Sequence, residues 1–183
     1  TESEINENKD YLNSFIKKDE RKIWALIMGG PTKYYDYSTK NMKHIFTSIY
    51  KLSKEHDFQL VVIPSMRTPL NTIHYAKEFF GENHTIIMDV DKKAYLSALA
   101  ISENIVVTCD SSSMISEAAL TGKPIYIASI LPKKNDKRFQ RFRNLFRELN
   151  IIRNLGEEVE IWSYEKLDET NRVANIIKQK INL

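Results

Sequence analysis

An open, doubly wound α/β sheet of mostly parallel strands, Rossmann-like in class, is what this sequence predicts, and three observations predict it. Short β-rich runs alternate with segments of helical spacing along most of the chain. The β-rich runs are apolar at consecutive rather than alternate positions, as expected when helices cover both faces of a parallel sheet. With 183 residues and 42% hydrophobic content, the chain has enough material for one core and little for a second. Strand–helix alternation with right-handed crossovers then gives the open sheet.

Taken in order, residues 1–21 are polar and charged, with a weak helical pattern at Tyr11, Leu12, Phe15 and Ile16, and read as a tail or linker. Residues 22–183 read as a single domain. Strand runs are expected at Ile23–Met28, Leu60–Ile63, Thr85–Met88, Ile105–Thr108 and Pro124–Ala128. Between them, Met42, Ile45, Phe46, Ile49 and Leu52 fall on one helical face. Ile73, Ala76, Phe79 and Phe80 form a second such face, and Tyr95, Leu96 and Leu99 a third. Phe139, Phe142, Leu145, Phe146 and Leu149 mark a longer helix, and Val173, Ile176, Ile177 and Ile181 a last one. Thr121-Gly122-Lys123-Pro124 ends the helix before the fifth strand, with Gly as the left-handed stop and Pro beyond it.

Bulk properties exclude several classes. A net charge of +3 is too weak to argue for nucleic acid. One cysteine, Cys109, permits no internal disulfide and fits a reducing, cytoplasmic setting. No apolar run approaches the roughly 20 residues that cross a bilayer. The four histidines show no metal spacing, so the reading is metal-free and without a cofactor. The acidic N-terminus lacks an initiator Met, which suggests a piece of something longer.

In such a sheet ligands bind beyond the carboxyl ends of the strands. Met28-Gly29-Gly30-Pro31-Thr32-Lys33 follows the first strand; alone, the paired glycines read as a tight turn without a ligand, but beside the loop at 109–113 they let backbone approach one, and Thr32 and Lys33 add a hydroxyl and a charge. The pattern is neither GxGxxG nor a Walker loop. Pro64-Ser65-Met66-Arg67-Thr68-Pro69 follows the second strand. Thr68 is expected to cap the next helix, while Arg67 is a fork donor suited either to a ligand's phosphate or carboxylate or to pairing with a local carboxylate of the chain. Cys109-Asp110-Ser111-Ser112-Ser113 follows the fourth strand and opens onto a helix, whose first N–H groups and dipole favour an anion. One serine is expected to cap that helix. Glu117 fits no capping box and sits about one turn in, placed to accept hydrogen bonds from neutral hydroxyls such as those of a ribose. The ligand-facing set is therefore Gly29, Gly30, Thr32, Ser65, Arg67, Asp110, Ser111, Ser112, Ser113, Met114 and Glu117.

Lys133-Lys134-Asn135-Asp136-Lys137-Arg138, continued by Arg141, Arg143 and Arg147, makes a basic amphipathic helix. Such a face is either solvated or in contact with diphosphate, an acidic membrane surface or a partner protein. Tyr34, Tyr35 and Tyr37 form an aromatic patch that stacks on a ligand or covers an interdomain surface. Trp24 and Trp162 read as packing residues.

The Gly-Gly-Pro, Ser-Met-Arg-Thr-Pro and Val-Thr-Cys-Asp-Ser-Ser-Ser-Met-Ile-Ser-Glu-Ala segments, followed by Thr-Gly-Lys-Pro-Ile-Tyr, are similar to the mitochondrial-fission "elongated mitochondria" family. Ile161-Trp162-Ser163-Tyr164-Glu165-Lys166-Leu167 resembles its C-terminal signature, so the likeness runs from about residue 23 to the end. Where that family's pattern has a second arginine, this chain has Met66. The Ser-rich turn and helix Glu also resemble the nucleotide-sugar-binding C-terminal half of GT-B glycosyltransferases. The resemblance implies a nucleoside-diphosphate sugar as ligand, its phosphates on Gly29, Gly30, Ser111, Ser112, Ser113, Met114 and Arg67, and its ribose on Glu117. It also implies a missing N-terminal domain carrying the acceptor site, so this chain alone would be catalytically incomplete. A nucleotide-sugar epimerase on the same scaffold and a non-catalytic fission-type recruitment protein are the alternatives.

Overall fold

A computed structural model describes residues 1–156, 158–167, 177, 179 and 180. Among the described residues, six strands form one parallel sheet: β1 Lys22–Met28, β2 Phe58–Pro64, β3 Thr85–Ile86, β4 Asn104–Thr108, β5 Ile125–Ala128 and β6 Ile152–Asn154. Their order is β3-β2-β1-β4-β5-β6, so the winding reverses between β1 and β4. The helices are α1 Glu2–Glu7, α2 Thr39–Glu55, α3 Leu70–Phe80, α4 Lys92–Ile101, α5 Ser112–Ala118 and α6 Lys137–Glu148.

The consecutive apolar runs behave as the pattern requires: every residue of β2, β4 and β5 is buried. Trp24 is the central brace of the sheet, stacked on Phe58 at 4.2 Å and on Tyr126 at 5.6 Å, with Trp162 edge-on to Tyr126. Register pairs Trp24 with Leu60 on one side and Asn104 on the other. The sheet is thus deepest where β1 lies between β2 and β4.

Several details depart from the pattern. β3 keeps only Thr85 and Ile86 of the expected run, although Ile87 N–H still reaches Val62 O. β6 was not foreseen, because Ile151-Ile152 is too short an apolar run to stand out. Helix α3 starts after Pro69, and Thr68 does not cap it. Instead the Thr68 hydroxyl accepts from Ser65 N–H and points at the Met28 and Gly29 carbonyls, tying the ends of β1 and β2 together. Gly122 does take the left-handed conformation, at φ 72°. In the first 21 residues, α1 carries a Thr1–Glu4 capping box, and Ile5 and Leu12 are buried against the rest of the fold. Ser97 Oγ of α4 accepts from Leu12 N–H and donates to Lys9 O. Of the last expected helix, Val173, Ile176 and Ile181 lie outside the described residues, and Ile177 is helical and half exposed.

Candidate functional site

The reversal point between β1 and β4 is where such a sheet opens a crevice. Here that crevice is filled from within. The Asp110 carboxylate accepts from Gly30 N–H (3.0 Å), from the Tyr37 phenol (2.6 Å) and from Arg67 Nη2 (3.0 Å), and its side chain has no exposed area. Gly29 N–H donates to Thr108 Oγ1 at 2.8 Å, which also lies 2.8 Å from the Tyr37 hydroxyl. Burial first, and then the neighbouring Asp110 charge, push the Tyr37 phenol far above its ordinary range, so it stays a donor.

These bonds give the glycines a different role from a phosphate cradle. A Cβ on Gly29 would lie 2.2 Å from Asp110 Oδ2, and one on Gly30 would lie 2.1 Å from the Arg67 carbonyl. Glycine is required because protein atoms, rather than a ligand, approach the backbone there. Asp110 is a buried brace, and Thr32 is a local turn residue whose hydroxyl accepts from Tyr34 and Tyr35 N–H. Tyr35 and Tyr37 are core residues, so the expected aromatic patch reduces to Tyr34, which packs edge-on to Phe139.

Above this plug lies a groove of about 310 Å³, bordered by Ser65, Arg67, Lys92, Tyr95, Ser111, Ser113 and Met114. Arg67 is pinned by Asp110 and by Gly30 O, yet 45% of its side chain is exposed, leaving guanidinium N–H groups for a visitor. Ser111 occupies the N-cap position of α5 but makes no side-chain capping bond, contrary to the expected cap. The first-turn amides of α5, at Ser112 to Met114, therefore lack a side-chain cap at the groove wall. Ser65 Oγ donates to Gly29 O and carries the groove floor. Glu117 faces the other side of α5. It borders a larger, mostly apolar cavity of about 580 Å³ with Leu120, Leu145, Phe146 and Leu149. Tyr95, which lines the first groove, links the two by donating to Glu117 Oε2 at 2.8 Å.

The structure thus unites Ser65, Arg67, Ser111, Ser113 and Met114, keeps Glu117 one hydrogen bond away, and turns Gly29, Gly30, Thr32 and Asp110 inward. Ser112 is half-buried at the start of α5 and outside the groove lining. Sequence reasoning missed Thr108 and Tyr95, and it placed Tyr37 in an aromatic patch rather than against Asp110. Tyr95 carried no signal because it shares spacing with the apolar face of α4. Thr108 carried one: a hydroxyl at the last position of an otherwise apolar strand.

The family model described as "Mitochondrial fission ELM1" matches residues 1–181. A Rickettsia prowazekii protein of unassigned function is 31% identical over 170 residues, covering 86% of this chain and 46% of that protein. The Arabidopsis thaliana mitochondrial fission protein ELM1 is 30% identical over 122 residues, covering 64% of this chain and 28% of that protein. The chain therefore spans less than half the length of these curated relatives. Among solved structures, a UDP-GlcNAc 2-epimerase from Neisseria meningitidis bound to UDP-GlcNAc superposes with TM-score 0.53 at 17% identity, covering 97% of this chain and 40% of that one. The Staphylococcus aureus MnaA–UDP structure gives 0.51 at 16% identity, covering 96% and 52%. At such identities the likeness is one of fold.

Proposed function

The chain belongs to the mitochondrial fission ELM1 family, and on that premise we propose that it is the nucleotide-binding half of a GT-B-like protein, taking a nucleoside diphosphate or its sugar ester. The observation that carries this reading is the groove in which the exposed part of Arg67 faces the uncapped first turn of α5. A pinned fork donor and helix amides together match a diphosphate in charge and geometry. Glu117 borders the neighbouring cavity with one carboxylate oxygen held by Tyr95, and a ribose that reaches past Tyr95 meets the other. Solved proteins of this fold whose names include UDP-GlcNAc and UDP support the ligand class.

In a transfer reaction these groups act electrostatically: they stabilise the charge that gathers on the departing diphosphate. The acceptor and a general base are assigned to a second half of the protein. Met66 and Val90 on the loops beyond β2 and β3, and Leu70 at the start of α3, are more than half exposed, an apolar rim suited to such a partner domain.

Titration calorimetry with UDP, GDP and CMP tests the reading. Binding by at least one is expected, and Arg67→Ala should weaken it about 10- to 100-fold, since hydrogen bonds to charged groups contribute about 1.5–3 kcal/mol. Glu117→Ala should weaken a ribonucleotide but not its 2′,3′-dideoxy analogue. No binding by any of the three at millimolar concentration would overturn the proposal in favour of a recruitment protein that keeps the fold without the ligand.

A further inference from the structure

From Ser129 to Arg147 the sequence places seven cations against one acid, Asp136. That acid is turned inward: it is 2% exposed, accepts from Tyr35 and Gln140, and forms an ion pair with Arg143 at 3.0 Å. Burial opposes its charged form, but the bonds from Tyr35, Arg143 and Gln140 outweigh this and hold the carboxyl below its ordinary value. Asp136 therefore neutralises Arg143 and none of the cations outside. Lys133, Lys134, Lys137, Arg138 and Arg141 are exposed, with no acidic partner within 4.0 Å among the described residues. Lys33 adds to the same surface, because Lys133 N–H bonds to Tyr34 O at 2.7 Å and Tyr34 packs on Phe139.

Two features make this more than a solvated face. Lys137 and Arg138 stand in the first turn of α6, where the helix dipole disfavours cations; that turn holds no acid, and the N-cap Asp136 is turned inward to Arg143. An anionic counter-surface relieves that repulsion. Leu131, 83% exposed beside Pro132, projects from the loop that carries Lys133 and Lys134. An apolar side chain flanked by lysines matches the boundary between lipid headgroups and acyl chains. An anion without apolar groups, such as polyglutamate, gains nothing from it.

We propose that the β5–α6 loop and the first turns of α6 form a docking surface for an anionic lipid bilayer, with Leu131 entering the interface and Lys33, Lys133, Lys134, Lys137 and Arg138 facing the headgroups. The buried Tyr35–Asp136–Arg143 cluster holds this platform rigid from beneath. Contact of this kind is peripheral: no helix among the described residues is long and apolar enough to cross a membrane.

Co-sedimentation with vesicles of phosphatidylcholine, with and without phosphatidylserine, tests it on the chain as it stands. Partition onto the phosphatidylserine vesicles and its loss in high salt are expected. Lys133→Glu/Lys134→Glu should lower partition about 30-fold or more, each basic residue at such a surface contributing a factor of about five. Leu131→Ser should weaken partition without altering its salt dependence. The distant pair Lys51→Glu/Lys54→Glu should leave it unchanged, and thermal melts confirm that each variant is folded. Equal partition onto both vesicle types, or binding to soluble polyglutamate without any vesicle partition, would overturn the proposal; the latter would assign the surface to an acidic protein.

Discussion

Replacing Asp110 by Ala and Gly29 by Ala, singly and together, tests the plug beneath the groove. Asp110→Ala leaves Gly30 N–H as a buried donor without an acceptor, at about 1–3 kcal/mol, while the Tyr37 hydroxyl still has Thr108 Oγ1. Arg67 adds little, because its half-exposed guanidinium can turn to water. A loss of about 1–3 kcal/mol is expected, that of one orphaned buried donor. Gly29→Ala drives a methyl to 2.2 Å from Asp110 Oδ2, and its three nearest neighbours are all atoms of that carboxyl group. Overpacking of this kind costs about 1–3 kcal/mol. In the Asp110→Ala background those atoms are gone, so the second substitution should cost under about 1 kcal/mol, a coupling of about 2 kcal/mol. Gly30→Ala is the control, since its methyl meets the Arg67 main-chain carbonyl at 2.1 Å and gains no relief from losing Asp110. Urea unfolding followed by circular dichroism measures all five variants. Costs of Gly29→Ala and Asp110→Ala that add to within about 0.5 kcal/mol would refute the plug.

Other expectations follow from the same contacts. His84 Nδ1 accepts from Leu60 N–H, and burial, followed by the charges of Arg21, Lys54 and Lys17, lowers its pKa from 6.5 to about 4. The unfolded chain therefore binds the proton first, so stability is full above about pH 6.5 and falls as pH drops toward 4. Urea midpoints at stepped pH should show this loss, and His84→Gln should flatten it; an unchanged slope would remove His84 as its source. Thr68→Val removes a buried hydroxyl that ties β1 to β2 and should cost about 1–3 kcal/mol by thermal melt, whereas Thr68→Ser should cost clearly less. Leu12→Ala, at a fully buried position of the N-terminal segment, should cost about 2–5 kcal/mol. A chain beginning at residue 22 that melts with the intact protein would show that this segment adds nothing.

The sheet was legible because a strand buried on both faces needs apolar residues in succession, and Leu60-Val61-Val62-Ile63 and Ile105-Val106-Val107 offer no other reading. Edge elements were less so. β6 rests on two isoleucines, and α1 on a single buried Ile5 within a charged run, too little apolar surface to form a pattern. In the site, the loops were legible as loops, but side-chain direction was not. Asp110 sits in a run of small polar residues that reads as a ligand turn, and only the three-dimensional approach of Gly30, Tyr37 and Arg67 turns it inward. That Tyr37 reaches Asp110 from 73 residues away in sequence is invisible to any local pattern.

On the proposed function, that inward turn changes where the ligand's phosphates would sit. With the Gly29 and Gly30 amides bonded to Thr108 and Asp110, the crevice at the strand reversal has no backbone donors left to offer from β1. What remains lies one layer outward: the exposed edge of Arg67 and the uncapped turn of α5. Asp110 then serves the groove indirectly, fixing the guanidinium while withdrawing part of its charge. A fixed but partly neutralised cation discriminates by geometry more than by charge. The groove should therefore favour a diphosphate, which can meet the fork and the helix turn together, over inorganic phosphate, which can meet only one of them. Calorimetry of the intact chain with UDP and with phosphate at matched ionic strength reads that preference directly, and equal affinity for the two would place the anion site elsewhere.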